Sequence, residues 1–502
     1  MGHPPPNGYR SPNPTAFGLA GTIAIWTLLP DPRLTPGEFL PYTSPMADLE
    51  ARLREVVGPP HVEFGAEVGD DYTHDEALTT APVRPLAAVR PGTTAEVAAV
   101  LRVCDEMRVP VTARGAGTGL SGACTPRADG IVLSLERMNT ILEIDTENHV
   151  AVVQPGVSLD QLDHALAPLG LVYPVYPGEN SASLGGNVAT NAGGMRAVKY
   201  GVTRNQVLGL EAVLASGDVI RTGGKFVKAT TGYDLTQLII GSEGTLAVVS
   251  EAVLKVYPRP RHNATMLVPF ASVDEVASAV PQIVRSGVNP LVLEYVDGGG
   301  LATLTANVGL DLGIAAEVQA AASAYLIVVI EQHVETRLEE DLATLADLVG
   351  GLGAIDVFVL PPGSGAKLLE AREKAFWVVK ALGANDIVDV VVPRASVPEY
   401  LRAVGAIATE NGSFVSAAGH AGDGNIHFPV FQPDDEVRRR VMHAIIAAGV
   451  AMGGAISAEH GIGKAKKEYF LELEDPQKIA LMRRIKSAFD PNGILNPGTL
   501  FD

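Results

Sequence analysis

The residues best suited to chemistry cluster near the C-terminus. Gly419-His420-Ala421-Gly422-Asp423-Gly424-Asn425-Ile426-His427 places two histidines either side of a turn-forming Gly-Asp-Gly-Asn core. Ser457-Ala458-Glu459-His460-Gly461 then supplies a Glu-His pair among small residues. Two histidines and a carboxylate leave coordination positions open on a divalent metal, the arrangement that holds a substrate rather than a fold. The remaining histidine is a spare acid/base group that titrates near neutrality. A lone histidine is more often structural, but four such groups in two glycine-flanked motifs point to an enzyme.

Two glycine-rich tracts lie upstream. Arg114-Gly115-Ala116-Gly117-Thr118-Gly119-Leu120-Ser121-Gly122 sits between short strands expected over residues 110–113 and 131–135. A Rossmann turn would run straight into an amphipathic helix, so strand–loop–strand disfavours that nucleotide fold. What remains is a nest of backbone N–H groups able to cradle a pyrophosphate, with Arg114 and hydroxyls beside it. The second tract, residues 176–194, has little helical or strand periodicity. Its small and amide residues let backbone approach a flat polar ligand, and long irregular stretches inside compact domains are usually functional. A third piece, residues 241–249, reads as a turn followed by a buried strand.

These groups need a scaffold, and composition bounds it. At 502 residues the chain exceeds what one core supports, so two or three domains are expected. It is 47% hydrophobic and 19% charged, with 53 glycines and 35 prolines that foretell tight loops. A formal charge of −19 argues against nucleic acid or an anionic membrane surface as partner, since both need basic patches. Cys104 and Cys124 suggest neither a disulfide framework nor a zinc site, so a reduced, cytoplasmic setting is the default expectation. Residues 1–14 are rich in Pro, Gly and Asn, and residues 15–29 form an uncharged apolar run too short for a typical membrane span. We expect residues 1–45 to be a disordered extension, with a weak signal or peripheral anchor as the alternative. An amphipathic helix opens at Met46.

Beyond it strands and helices alternate. Residues 83–89 read as a strand and 94–107 as a helix capped by Thr93 or Thr94. Residues 265–269, 290–296, 324–331 and 355–360 read as strands, with helices over 273–286 and 335–348. Two β-α-β units of this kind predict a ferredoxin-like α+β cap with an antiparallel sheet. A final helix spans 476–489, and the tail is expected to return to the first domain. The α+β chain divides into a ligand-binding domain of two α+β subdomains (46–260), a substrate-binding cap (261–480) and a C-terminal segment (481–502).

The three upstream pieces, in this order and spacing, resemble the vanillyl-alcohol oxidase/PCMH-type FAD-binding fold. Arg114, Gly115, Ala116, Gly117, Thr118, Gly119 and Ser121 stand where that fold has its pyrophosphate loop. Pro177, Ser183, Leu184, Gly185, Gly186, Asn187, Asn191 and Gly194 match the segment lining the flavin ring and adenosine. Glu243, Gly244 and Val248 match the final contact strand, and Asn496 in the closing Leu495-Asn496-Pro497-Gly498-Thr499-Leu500-Phe501 joins the cofactor-binding set. Members that tether FAD covalently often have histidine in the first loop. This loop has none, so non-covalent FAD is expected. The C-terminal motifs resemble the FAD-linked D-2-hydroxyacid dehydrogenase branch, which includes D-lactate dehydrogenases, the glycolate oxidase flavin subunit and D-2-hydroxyglutarate dehydrogenase. Over residues 46–502 the resemblance implies that His420, His427 and Glu459 bind a divalent metal, zinc first and manganese or iron next. It also implies that His460 is the catalytic base and that Arg372 holds the substrate carboxylate.

The chemistry suits these residues. Oxidising a 2-hydroxy acid to the 2-oxo acid removes the hydroxyl proton while hydride leaves the α-carbon for the flavin. A metal lowers the hydroxyl pKa, an imidazole accepts the proton and a guanidinium clamps the carboxylate. Dicarboxylate-specific relatives carry a lysine six positions before the proline that follows the cap strand. Here Ile387 occupies that place, with Asp389 nearby, and neither favours a second carboxylate. The expected substrate is a monocarboxylate such as D-lactate, glycolate or a longer apolar D-2-hydroxy acid. D-2-hydroxyglutarate is the alternative if Arg394 or Lys380 supplies the missing charge. A metal-dependent hydrolase would leave the glycine tracts without purpose, and a non-catalytic flavin-binding subunit would leave the histidines without one. The electron acceptor stays open between quinone, an electron-transfer flavoprotein, an iron–sulfur partner and oxygen, as does the oligomeric state, a homodimer being one candidate.

Overall fold

Three sheets carry the site residues, and each forms for a reason legible in its residues. The computed structural model describes residues 45–501. Apart from Pro45, the extension expected over residues 1–45 lies outside the described residues. The helix Pro45–Val57 buries Leu49, Leu53 and Val57, one apolar stripe at helical spacing. These side chains share a core with a four-stranded sheet ordered Val62–Phe64, Ala87–Val89, Ile131–Ser134, Val111–Arg114. The last three strands are parallel, so the first glycine loop is a crossover and not a hairpin turn. Helix Thr94–Met107 starts at Thr93, whose side chain accepts the Glu96 N–H. The strand expected over residues 83–89 shrinks to Ala87–Val89. Pro85 has no N–H to give, and Val83 and Leu86 donate to Thr73 and Gly130 instead.

The second sheet is antiparallel, ordered Ile141–Asp145, Val150–Val153, Val248–Lys255, Val207–Val213, Val219–Gly223. Against it lies a helix within the tract expected to be irregular, Leu184–Thr190. Gly185 and Gly186 disfavour a helix by propensity. The Ser183 side chain, which accepts the Gly186 N–H, and the burial of Leu184 and Val188 in the sheet's core make one nonetheless.

The third sheet is wholly antiparallel. Its first four strands run Phe358–Val359, His262–Phe270, Ala324–Gln332, Val292–Asp297. In chain order that is fourth, first, third, second, the ferredoxin-like arrangement. The strand expected over residues 355–360 reduces to Phe358–Val359, with Pro361 and Pro362 following Leu360. The sheet continues through Ala418–His420, Asn425–Phe431 and Asp386–Val391, with Phe414–Val415 also paired to Asn425–Phe431. These added strands bring the C-terminal histidines to the sheet. After helix Pro476–Phe489 the chain reaches the first sheet, where Val111 donates to Ile494 and accepts from Asn496. Ile494 and Leu495 complete that sheet's core. No helix among the described residues is long and apolar enough to cross a membrane.

Candidate active site

The two glycine tracts press against each other. A Cβ on Gly115 would lie 2.1 Å from Ser183 Oγ, and one on Gly194, at φ +132°, would lie 1.9 Å from the Tyr176 carbonyl oxygen. Ala116 donates its N–H to Ser183 Oγ at 3.2 Å, and Arg114 reaches back to the His74 carbonyl at 2.6 Å. A narrow cavity of about 70 Å³ runs between the tracts, bounded by Arg114, Gly115, Gly185, Gly186, Glu243, Gly244, Val248 and Asn496. Ser242 Oγ at this cavity, and Asn187 Nδ2 next in sequence to its wall residue Gly186, are buried with no partner among the described residues. Buried unpaired polar atoms beside a crevice are what a polar ligand satisfies.

A wider cavity of about 280 Å³ lies between Tyr176, Pro177 and Gly194 on one side and the third sheet on the other. Into it converge His420, His427, Glu459, His460 and Arg372. The Nε2 atoms of His420 and His427 are 3.2 Å apart, and each lies within 3.2 Å of Glu459 Oε1. Behind them sits Glu294, fully buried. One of its oxygens takes His420 Nδ1 at 2.5 Å and the other faces Arg372 Nη2 at 2.8 Å. Burial works against a charged His420, but Glu294 and Glu459 outweigh it and hold this imidazole well above its ordinary pKa. Nε of Arg372 has no partner within the described residues, so Glu294 engages only the Nη2 edge of this guanidinium. His460 stacks on His427 at 5.0 Å, and burial pushes its pKa down to about 4, leaving a neutral imidazole at pH 7.

The loop bearing Glu459 and His460 is held by two buried carboxylates. Asp389 Oδ2 accepts the Ser457 hydroxyl at 2.7 Å and the N–H groups of Ala458, Glu459 and His460 at 2.8–3.2 Å. Glu243 accepts the N–H groups of Ile462 and Gly463, both at 2.8 Å. Burial raises the Glu243 carboxyl to about 7. Burial pushes Asp389 the same way, but His460 and Lys466 overcome it and hold this carboxylate far below its usual range.

Comparison with known proteins gives this geometry a context. Residues 85–223 match the family described as FAD binding domain, and residues 259–500 match FAD linked oxidases, C-terminal domain. The chain is 54% identical to an uncharacterised FAD-linked oxidoreductase of Mycobacterium tuberculosis, over 91% of this chain and 99% of that one. It is 36% identical to a D-lactate dehydrogenase of Anaerostipes hadrus, over 91% of this chain and 98% of that one. The chain belongs to the FAD-linked oxidases. The fold of this FAD-linked oxidase is that of p-cresol methylhydroxylase, whose structure superposes with a TM-score of 0.75 at 19% identity, covering 91% and 97% of the two chains.

The expected cofactor residues of the FAD-linked oxidase fall into three groups. Arg114, Gly115, Gly185, Gly186, Glu243, Gly244, Val248 and Asn496 bound the narrow cavity, and Pro177 and Gly194 bound the wide one. Ala116, Gly117, Thr118, Gly119 and Ser121 build the loop; Gly119 and Ser121 use their carbonyls to accept from Glu76 and from Lys464 and Ala465. Ser183, Leu184 and Asn191 are structural in their side chains: a helix cap, a core residue, and a left-handed C-cap whose Oδ1 accepts the Arg204 N–H. The Glu243 carboxylate is likewise taken by the 462–463 backbone. The glycine-walled crevice, with the unpaired Ser242 hydroxyl at it, fits a polar segment of a bound dinucleotide such as its pyrophosphate. The converging His420, His427 and Glu459 atoms fit one divalent cation, since three ligand atoms about 3 Å apart suit bonds of about 2 Å to a common centre.

Sequence reasoning missed two residues. Glu294 lies in an apolar strand and carried no motif. Asp389 was read as an anion near the substrate, whereas it is fully buried and occupied by the 457–460 loop. A charged residue inside an otherwise apolar strand was the available signal for both.

Proposed function

We propose that the protein oxidises a D-2-hydroxy monocarboxylic acid, of the D-lactate or glycolate type, to the 2-oxo acid. Non-covalently bound FAD supplies the two-electron acceptor, and a divalent ion on His420, His427 and Glu459, zinc first and manganese or iron next, supplies a Lewis acid. The observation that carries this reading is the convergence of those three ligand atoms at one cavity with His460 and the buried Arg372, whose Nε–H has no partner among the described residues.

Each residue has one task. Arg372, buried and with Nη2 held by Glu294, offers its Nε–H to the substrate carboxylate and so fixes the α-carbon. His460 is neutral at pH 7 and accepts the hydroxyl proton. Glu294 orients His420 so that Nε2 points at Glu459 and His427. Burial of the cluster excludes water and strengthens these interactions.

Among the described residues lining the wide cavity, Arg372 is the one guanidinium or ammonium. Lys380 is paired with Glu76 at 2.5 Å, and neither it nor Arg394 lines the cavity. This supports a monocarboxylate over D-2-hydroxyglutarate. Electrons then pass to a quinone, an electron-transfer flavoprotein or an iron–sulfur partner. Comparing kcat/KM for D-lactate and D-2-hydroxyglutarate with a dye acceptor, and identifying the 2-oxo product, tests the reading. A preference for the dicarboxylate would overturn its substrate half.

A further inference from the structure

The face of the third sheet that carries the histidines does not end at them. In the antiparallel pair Asp386–Val391 with Asn425–Phe431, Asp389 stands opposite His427 and Ile387 opposite Pro429. The same register sets Phe431 opposite Phe414. Residues two apart on a strand share a face, so His427, Pro429 and Phe431 form one row, flanked by Ile387 and then Phe414. The alternate residues Val388, Phe428 and Val430 point the other way, into the core beneath helices. Phe431 stands four positions along the strand from His427, about 13 Å at the usual rise of about 3.3 Å per residue. Helix Ala375–Ala381 supplies the opposite wall, with Phe376 and Val379, and Leu382 follows at its end. The channel opens to solvent at Phe414, 65% exposed, and Leu382, 61% exposed.

We infer that this apolar channel receives the side chain of the substrate, so that the preferred substrate is a D-2-hydroxy acid with an extended alkyl or aryl tail. The inference rests on the oxidation reading above and deepens it. The charged end of such a molecule is fixed by Arg372 and the histidine cluster. Its third and later carbons then lie along Pro429, Ile387, Phe431 and Phe414. Lactate and glycolate reach none of these side chains beyond the first. An apolar wall that opens outward takes chains of increasing length without a steric stop, and each methylene removed from water favours binding. Among the described residues lining the cavity no guanidinium or ammonium besides that of Arg372 is present to pair a second carboxylate, and Asp297 disfavours one.

The holoenzyme, assayed with a dye acceptor, is compared on D-lactate, D-2-hydroxyhexanoate and D-2-hydroxydodecanoate. The expected result is a kcat/KM that rises about fourfold for each methylene buried. Phe414→Ser, at an exposed position where folding is not at stake, lowers the dodecanoate-to-lactate ratio of kcat/KM. Equal or falling kcat/KM along the series, with lactate still oxidised, overturns the channel and leaves the oxidation reading standing. Failure of every D-2-hydroxy acid to reduce the flavin overturns both. An unchanged ratio in Phe414→Ser also contradicts the channel.

Discussion

Asp389 Oδ2 accepts the backbone N–H of His460 at 2.8 Å, and the same oxygen holds the N–H groups of the two preceding residues. A carboxylate on the third sheet thereby sets where both Glu459 and His460 stand. Lys466, itself buried, lies 3.5 Å from that oxygen and balances its charge. Asp389→Ala leaves the N–H groups of Glu459 and His460 and the Ser457 hydroxyl without this acceptor and takes the carboxylate from beside the Lys466 ammonium, while Ala458 keeps the Asp389 backbone carbonyl. Breaking a buried pair of this kind costs about 3–5 kcal/mol. Thermal unfolding reads that loss, and metal titration of the surviving folded protein shows weakened binding because Glu459 is displaced.

His460→Ala keeps flavin and metal but lowers kcat by about 10²- to 10⁴-fold, the usual contribution of a general base. In the proposed site the residue neighbours the ligand Glu459 without being one, so flavin absorbance and metal content are expected to remain at wild-type levels. Turnover at the wild-type rate across pH would remove His460 from the reaction.

His420→Ala or His427→Ala loses metal and retains the flavin, because neither side chain approaches the narrow cavity. Glu294→Gln weakens metal binding about 10- to 100-fold by releasing the His420 ring from its orientation. It also raises KM, since Arg372 loses its ionic partner. Metal analysis and substrate titration separate the two effects.

Metal affinity rises with pH. His420 is held well above its ordinary pKa by Glu294 and Glu459 despite burial, so loading a cation requires a proton to leave Nε2. One proton released corresponds to about tenfold tighter binding per pH unit below that pKa. Metal titrations at several pH values check the slope, and a flat profile would mean that His420 is not a ligand.

The chemistry-bearing residues were legible in the sequence where they sit in glycine-flanked motifs, as His420, His427, Glu459 and His460 do. Regular elements with strong caps or runs were legible too: the helix over residues 94–107 and the final helix appear at the expected bounds. What escaped are features decided by tertiary contacts. The helix Leu184–Thr190 forms against glycine propensity because Ser183 caps it and the second sheet buries Leu184. Asp389 and the loop it holds are far apart in sequence, and nothing local marks the pairing. Glu294 becomes informative only once the sheet order sets Val292–Asp297 beside Ala418–His420.

The most direct test is anaerobic mixing of the FAD-loaded protein with a D-2-hydroxy acid while flavin absorbance is followed, before chelation, after chelation and after metal is restored. The account predicts stoichiometric bleaching, its loss on chelation with flavin still bound, and its recovery with zinc or manganese. Bleaching that survives complete metal removal, or no bleaching by any D-2-hydroxy acid, would contradict it.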